Sequence, residues 1–232
     1  MSKINKPPKL DGEVKLSVPW KACWDQAWQA YCDESNPIGA VIVDSTGNIL
    51  AKGRNRIFGK PPKDSRHIHN NPLAHAEINA LLTLDFDEFD PYSSSLYTTV
   101  EPCPLCIGAI CMSKIKKIHY GARDPWAGSS NLLQATPYLR KKRIKAFGPD
   151  NNEFETAILS LQTDFSLRYR PERFQKVINR WMELHPEITR KAMRVYESGI
   201  LPKMKDREVS SEQILFELIK VIAEDTNLML HL

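Results

Sequence analysis

Apolar residues along the chain follow two patterns, and the change falls near Asn152. Before it, short apolar runs alternate with polar, turn-rich stretches. After it, apolar residues recur every three or four positions, the spacing of helix faces. Trp20, Cys23, Trp24, Ala27, Trp28 and Tyr31 line up at helical spacing and predict an early core-facing helix. Val41, Ile42 and Val43 run without a break, as in a strand covered on both faces. Asp44–Asn48 supplies turn chemistry, so a hairpin is expected over "NPIGAVIVDSTGNILAKGRNRI". Phe58–Pro72 reads as a long polar loop.

Further along, helical spacing from Ala74 to about Leu84 is followed by a strand over Ser93–Val100. A second helix is expected over Cys103–Ile115, entered through prolines that suit a first turn. Lys117–Ala122 reads as a fourth strand. A helix through "LLQATPYLRKKR" is interrupted by Pro137, and a short strand is expected near "IKAFG". The remainder predicts helices over "FETAILSLQTDF", "RPERFQKVINRWMEL", Glu187–Ile200 and Ser210–Leu230. The chain therefore divides into a loose arm (1–16), an α/β part (17–152) and a helical extension (153–232).

Composition sets limits on this picture. Of 232 residues, 42% are hydrophobic and 26% charged, which suits a soluble core-forming protein. No run of 18 apolar residues is present, so no membrane span is expected. The polar, Pro-containing start offers no apolar stretch for a secretory signal, and a cytoplasmic, reducing compartment is the expectation. Five cysteines in a chain of this size argue against a disulfide framework. Tyr138–Arg207 holds 16 Lys/Arg against 9 Asp/Glu, so positive charge gathers across the end of the α/β part and the first part of the extension. Both an RNA-binding appendage and ordinary solvated helix faces fit that count.

"EPCPLCIGAIC" packs three of the five cysteines into eleven residues. A lone C-x-x-C suits a redox pair, a metal clamp or neither. Twenty-eight residues upstream of Cys103, however, stands His75-Ala76-Glu77. H-x-E followed by P-C-x-x-C is the signature of zinc nucleobase deaminases. Cys103 and Cys106 share a helix face at the first turn, where the helix dipole favours thiolate. With His75 they make three zinc ligands, the number of a catalytic rather than a structural site. His75 and Glu77, two residues apart, address one metal only from a helix tip. Glu77 is then the general acid/base that takes a proton from water and returns it to the departing ammonia. Cys111, five residues past Cys106, reads as a small buried hydrophobe.

The α/β part resembles the cytidine deaminase-like superfamily, in particular its tRNA adenosine deaminase and guanine deaminase branch. "NPIGAVIVDSTGNILAKGRNRI", "AHAEINAL", "LYTTVEPCPLCIGAI" and "KKIHYGARDPWAG" carry the resemblance, from about residue 18 to 150. It implies a three-layer α/β/α sandwich around a five-stranded mixed sheet, one zinc ion per chain and a homodimer. It also implies substrate contacts at Asn55, Ala76 and Pro102, with Asp124 and Trp126 of "GARDPWAG" as further candidates. Trp126 stands where tRNA deaminases usually carry lysine, and Asn71-Pro72-Leu73 where they carry Asp-Pro-Thr. The second proline of "EPCPLC" is closer to the guanine deaminases. The loop carrying His67 and His69 is longer than usual, either a mobile polar segment or an edge of the pocket entrance or of a second metal site. The extension has no counterpart in the family pattern.

The expected function is zinc-dependent hydrolytic deamination of a purine-type nucleobase or nucleoside. Two alternatives are deamination of adenosine to inosine in tRNA and a non-catalytic, zinc-containing RNA-binding partner.

Overall fold

The computed structural model of the chain describes residues 16–58, 67–87, 89–149 and 151–224. The expected N-terminal arm falls almost wholly outside these residues, as do the middle of the Phe58–Pro72 loop and the end of the expected Ser210–Leu230 helix.

Helix α1 (Val18–Cys32) precedes a hairpin of β1 (Gly39–Val43) and β2 (Ile49–Arg54). There follow α2 (Ala76–Leu82), β3 (Ser95–Val100), α3 (Pro104–Ser113), β4 (Lys117–Ala122), a 3-10 turn over Ser130–Gln134, α4 (Pro137–Lys142) and β5 (Lys145–Phe147). The five strands form one mixed sheet in the order β2-β1-β3-β4-β5. The β1–β2 and β1–β3 pairs are antiparallel, and β3–β4 and β4–β5 are parallel. Every residue of β1 is buried, as its unbroken apolar run implied.

One face of the sheet presents Ile42, Leu96 and Ile118 to Ala76 and Ala80 of α2 and to Ile107 and Ile110 of α3. The other face packs on α1 and on the helix that follows β5, α5 (Asn152–Tyr169). The result is the three-layer α/β/α sandwich. Pro137 does not break a helix; it starts α4, in the first turn, where its missing N–H costs nothing. Thr136 caps that helix by accepting from the Leu139 N–H at 3.2 Å. The single helix expected there is thus a 3-10 turn and a separate short helix.

After α5 come α6 (Pro171–Leu184), α7 (Pro186–Ser198), α8 (Ile200–Asp206) and α9 (Ser211–Glu224). Helix α8 was not anticipated, because seven residues containing Pro202 give periodicity little to act on. Helices α6, α7 and α9 pack around α5, in which every residue from Phe154 to Ser166 is buried. A helix enclosed on all sides must satisfy its polar groups internally. Glu155 accepts from Arg123 in bidentate fashion at 2.9 and 2.7 Å. Asp164 accepts from Tyr31 Oη at 2.6 Å and pairs with Arg168. Gln162 Nε2 donates to the Pro37 carbonyl at 2.9 Å.

The aromatic stripe of α1 forms the seam between sheet and extension. Trp28 stacks on Tyr31 with centroids 5.2 Å apart, and Trp24 Nε1 donates to the Ser211 carbonyl at 2.7 Å. Trp24, Trp28 and Tyr31 share one hydrophobic core with Phe165, Trp181, Ile214 and Leu218 of the extension. No described helix is long and apolar enough to cross a membrane.

Candidate active site

Two helix starts meet on the sheet. His75 is the residue before the first turn of α2, and Cys103 holds the same position on α3. Both have extended backbones, and neither side chain caps its own helix. Extended backbone at this position carries a side chain past the helix tip instead of along its flank. That is how His75 and Glu77, two residues apart, reach one place. Cys106 sits one turn into α3, on the same face as Cys103.

Among the described residues, His75, Cys103 and Cys106 form the group able to hold a metal ion. Their ligand atoms make a compact triangle. Cys103 Sγ and Cys106 Sγ stand 3.4 and 3.5 Å from His75 Nδ1, and the two sulfurs are 3.7 Å apart. Tetrahedral zinc, with Zn–N about 2.1 Å and Zn–S about 2.3 Å, separates N from S by about 3.6 Å and S from S by about 3.8 Å. The donor set therefore fits zinc. All five cysteines are free thiols, and 3.7 Å is far beyond an S–S bond.

The two thiols differ in their electrostatics. The hydrogen bond between Cys103 and Cys106, with His75 beside it, lowers the Cys103 thiol to about 4 despite partial burial. The same hydrogen bond and burial push the Cys106 thiol up, against the thiolate expected of a helix first turn. Glu77 lies against this group. Its Oε2 accepts from Cys106 Sγ at 3.2 Å and its Oε1 from Thr98 Oγ1 at 3.2 Å. Burial raises its carboxyl above the ordinary glutamate value, with His75 opposing. Two close approaches set these positions. A Cβ at Gly53 of β2 would collide with Ala76 O and Ala80 N of α2, so the bare glycine lets α2 seat against the sheet. Gly128 likewise lies against Glu101, whose Oε1 accepts from the Ser130 N–H at 3.1 Å and from its hydroxyl.

A cavity of about 390 Å3 opens above His75, Glu77 and Cys103. Asn55, Asp124 and Trp126 line it, whereas Ala76 and Pro102 are buried and are not lining residues. Asn55 Oδ1 accepts from the Ser35 hydroxyl at 2.9 Å and from the Ile57 N–H at 3.1 Å. A backbone N–H can only donate, so Oδ1 is fixed and the amide NH2 is the group left for the cavity. Asp124 Oδ1 accepts from the Trp126 and Ala127 N–H groups at 2.9 and 3.1 Å and shapes that loop, while burial raises its carboxyl. Trp126 is 55% exposed, at the rim. His67 and His69 are not lining residues. Asn79 ties their loop to α2, accepting from the Ile68 N–H and donating to the Ile68 and Arg54 carbonyls.

Residues 17–122 match the model of the cytidine and deoxycytidylate deaminase zinc-binding region. A tRNA-specific adenosine deaminase of Rickettsia felis is 34% identical over 117 residues, covering 46% of this chain and 72% of that one. The chain belongs to the cytidine deaminase-like superfamily. A tRNA-specific adenosine deaminase of Haemophilus influenzae is 38% identical over 95 residues, which cover 40% of this chain and half of that protein's length. The structure of a guanine deaminase from Bacillus subtilis aligns at 30% identity and a TM-score of 0.38, over 51% of this chain and 68% of that one.

The match to the zinc-binding region ends at residue 122, but the cavity extends beyond it. Gln162 and Ser166 of α5 and Arg173, Phe174, Val177 and Trp181 of α6 complete its lining. Sequence reasoning did not place these residues at the site. Phe174 and Trp181 read as packing aromatics, and nothing local distinguishes a residue facing a cavity from one facing the core.

Proposed function

We propose that the chain is a zinc-dependent hydrolytic deaminase acting on a purine-type nucleobase or nucleoside. The observation that carries this reading is the triangle of His75 Nδ1, Cys103 Sγ and Cys106 Sγ, with the Glu77 carboxylate 3.2 Å from one corner. One zinc per chain, held by these three residues, would supply a Lewis acid that makes water nucleophilic near neutral pH. Glu77 takes one proton of the water and delivers it to a ring nitrogen; once the hydroxyl has added to the amino-bearing carbon, Glu77 carries that hydroxyl's proton to the amino group, which leaves as ammonia when the C–N bond breaks. The raised pKa of Glu77 suits a group that must both accept and return a proton. Thr98 Oγ1 holds one carboxylate oxygen so that the other faces the ligand cluster. Asn55 donates through its amide NH2 to an acceptor on the base edge, and Asp124 and Trp126 form the opposite wall.

Deamination of adenosine in tRNA is the second reading, favoured by the similarity to the tRNA-specific adenosine deaminases of Rickettsia felis and Haemophilus influenzae. A homodimer in the cytoplasm is the expected state of assembly and location, by likeness to the superfamily.

The test is ammonia release and mass shift over guanine, adenine, guanosine, adenosine, cytidine and an anticodon stem-loop, with zinc content measured in the same preparation. Release from a purine-type member at full zinc occupancy supports the reading. Absence of release from every member at full occupancy overturns it.

A further inference from the structure

Resting on that reading, we propose that α6 is a specificity wall that makes the site one for a free purine-type base or nucleoside, with Phe174 as the residue that packs against it. The zinc-ligand cluster and Asn55 come from the α/β part, but the cavity over them is closed by the extension. Helix α5 supplies Gln162 and Ser166 as an inner wall. It is held there by contacts that leave little play: Gln162 to the Pro37 carbonyl, Asp164 to Tyr31, and Glu155 to Arg123. Helix α6 lies across the outside, with Phe174, Val177 and Trp181 spaced three and four residues apart and therefore on one face.

Three observations select the substrate class. The cavity of about 390 Å3 lies at the small end of the range for small-molecule sites. Its lining from α6 is aromatic and aliphatic apart from Arg173, while Asn55, Glu77 and Asp124 supply polar groups, a mixture that suits a base with an apolar face and a hydrogen-bonding edge. A base carried in folded RNA must enter with its neighbouring nucleotides, and residues of α6 and Trp126 line the cavity together with the ligand cluster, which narrows the room for them.

Phe174 is suited to meet the base. It is half-buried, with one edge against Phe165 (centroids 6.3 Å) and the Arg173 guanidinium 5.8 Å from its ring centre. Arg173 also lies 5.5 Å from the Phe58 ring centre, so it bridges α6 and the segment that follows β2. Trp181 Nε1 sits toward the Asp124 carboxylate without a hydrogen bond of good geometry. That indole belongs to the shared core, which makes it a poor choice for substitution.

The experiment has a turnover arm and a binding arm. Wild type, Phe174→Ala, Phe174→Leu and Phe174→Tyr are compared on the purine bases and nucleosides and on the anticodon stem-loop. In parallel, the zinc-free proteins are titrated with the same bases and nucleosides, and binding is read from the combined fluorescence of the five tryptophans, Trp126 and Trp181 among them. A stacked aromatic is worth about 1–3 kcal/mol per base, so Phe174→Ala raises KM and the zinc-free Kd by about 5- to 150-fold. The expected kcat changes little, zinc content is unchanged, Phe174→Tyr stays near wild type, and Phe174→Leu behaves like Phe174→Ala. Wild type is expected to favour the free substrate over the stem-loop.

Unchanged KM and Kd in Phe174→Ala overturn the wall while leaving the deaminase reading intact, as does a wild-type preference for the stem-loop. Absence of turnover with a Kd that still responds to Phe174 overturns the deaminase reading and keeps the wall as a purine-binding surface.

Discussion

Glu77 Oε2 and Cys106 Sγ lie 3.2 Å apart, although 29 residues separate them in the chain. This contact joins the start of α2 to the first turn of α3. It places a carboxylate at the edge of the ligand triangle without making it a corner. Glu77→Gln keeps the shape and removes the proton transfer. It is expected to lower kcat by about 10²- to 10⁴-fold while zinc content stays at the wild-type level. Steady-state kinetics paired with metal analysis check this; loss of zinc along with activity would instead make Glu77 a ligand.

Thr98 holds the other Glu77 oxygen from the centre of the sheet, and both groups are buried. Thr98→Val removes the hydroxyl at nearly constant volume. Hydrogen bonds to charged groups are worth about 1.5–3 kcal/mol, so kcat is expected to fall roughly 10- to 100-fold with KM little changed. An equal rise in KM would place Thr98 in substrate binding.

Gly53 is the gap into which α2 settles. Gly53→Ala drives a methyl group into the backbone at Ala76 and Ala80, and α2 must move as a unit. The triangle then loses its fit at the His75 corner. Zinc is expected to dissociate at lower chelator concentrations than from wild type, measured by competition with a colorimetric chelator. Unchanged zinc affinity would show that α2 does not fix the ligand position.

Asp44 shapes the β1–β2 turn. Its carboxylate accepts from the Thr46 hydroxyl at 2.7 Å, the Asn48 amide at 3.0 Å and the N–H groups of both residues. These bonds favour the charged form and lower the carboxyl from an ordinary 3.8 to about 2. The folded value lies below the unfolded one. The stabilising contribution is therefore complete above pH 3.8 and disappears as pH falls through about 2. Carbon-detected NMR titration of the Asp44 carboxyl should give the low value, and Asn48→Ala should move it upward. A midpoint near 3.8 in the unaltered protein would contradict the turn geometry.

Much of this site is legible in the sequence, and the part that is not has a physical reason. His75, Glu77, Cys103 and Cys106 meet because of local rules: where a helix starts, and which residues share its first turn. Spacing along the chain encodes both. The wall made by Gln162, Phe174 and Trp181 depends instead on how α5 docks against the sheet and how α6 crosses it. Amphipathic spacing says that a helix face is apolar, but the same pattern serves a residue facing a core and one facing a substrate. The seam on α1 behaved likewise: its aromatic stripe announced burial without saying that Tyr31 would reach Asp164, 133 residues away.

The late position of α6 has a consequence for synthesis. Cys106 leaves the ribosome 75 residues before Trp181. At about 5–20 residues per second, all three candidate ligands are synthesised some 4–15 seconds before the residues of the outer wall. For that interval the growing chain carries the imidazole before α2 and the two thiols of α3 without the α6 residues that line the cavity beside them.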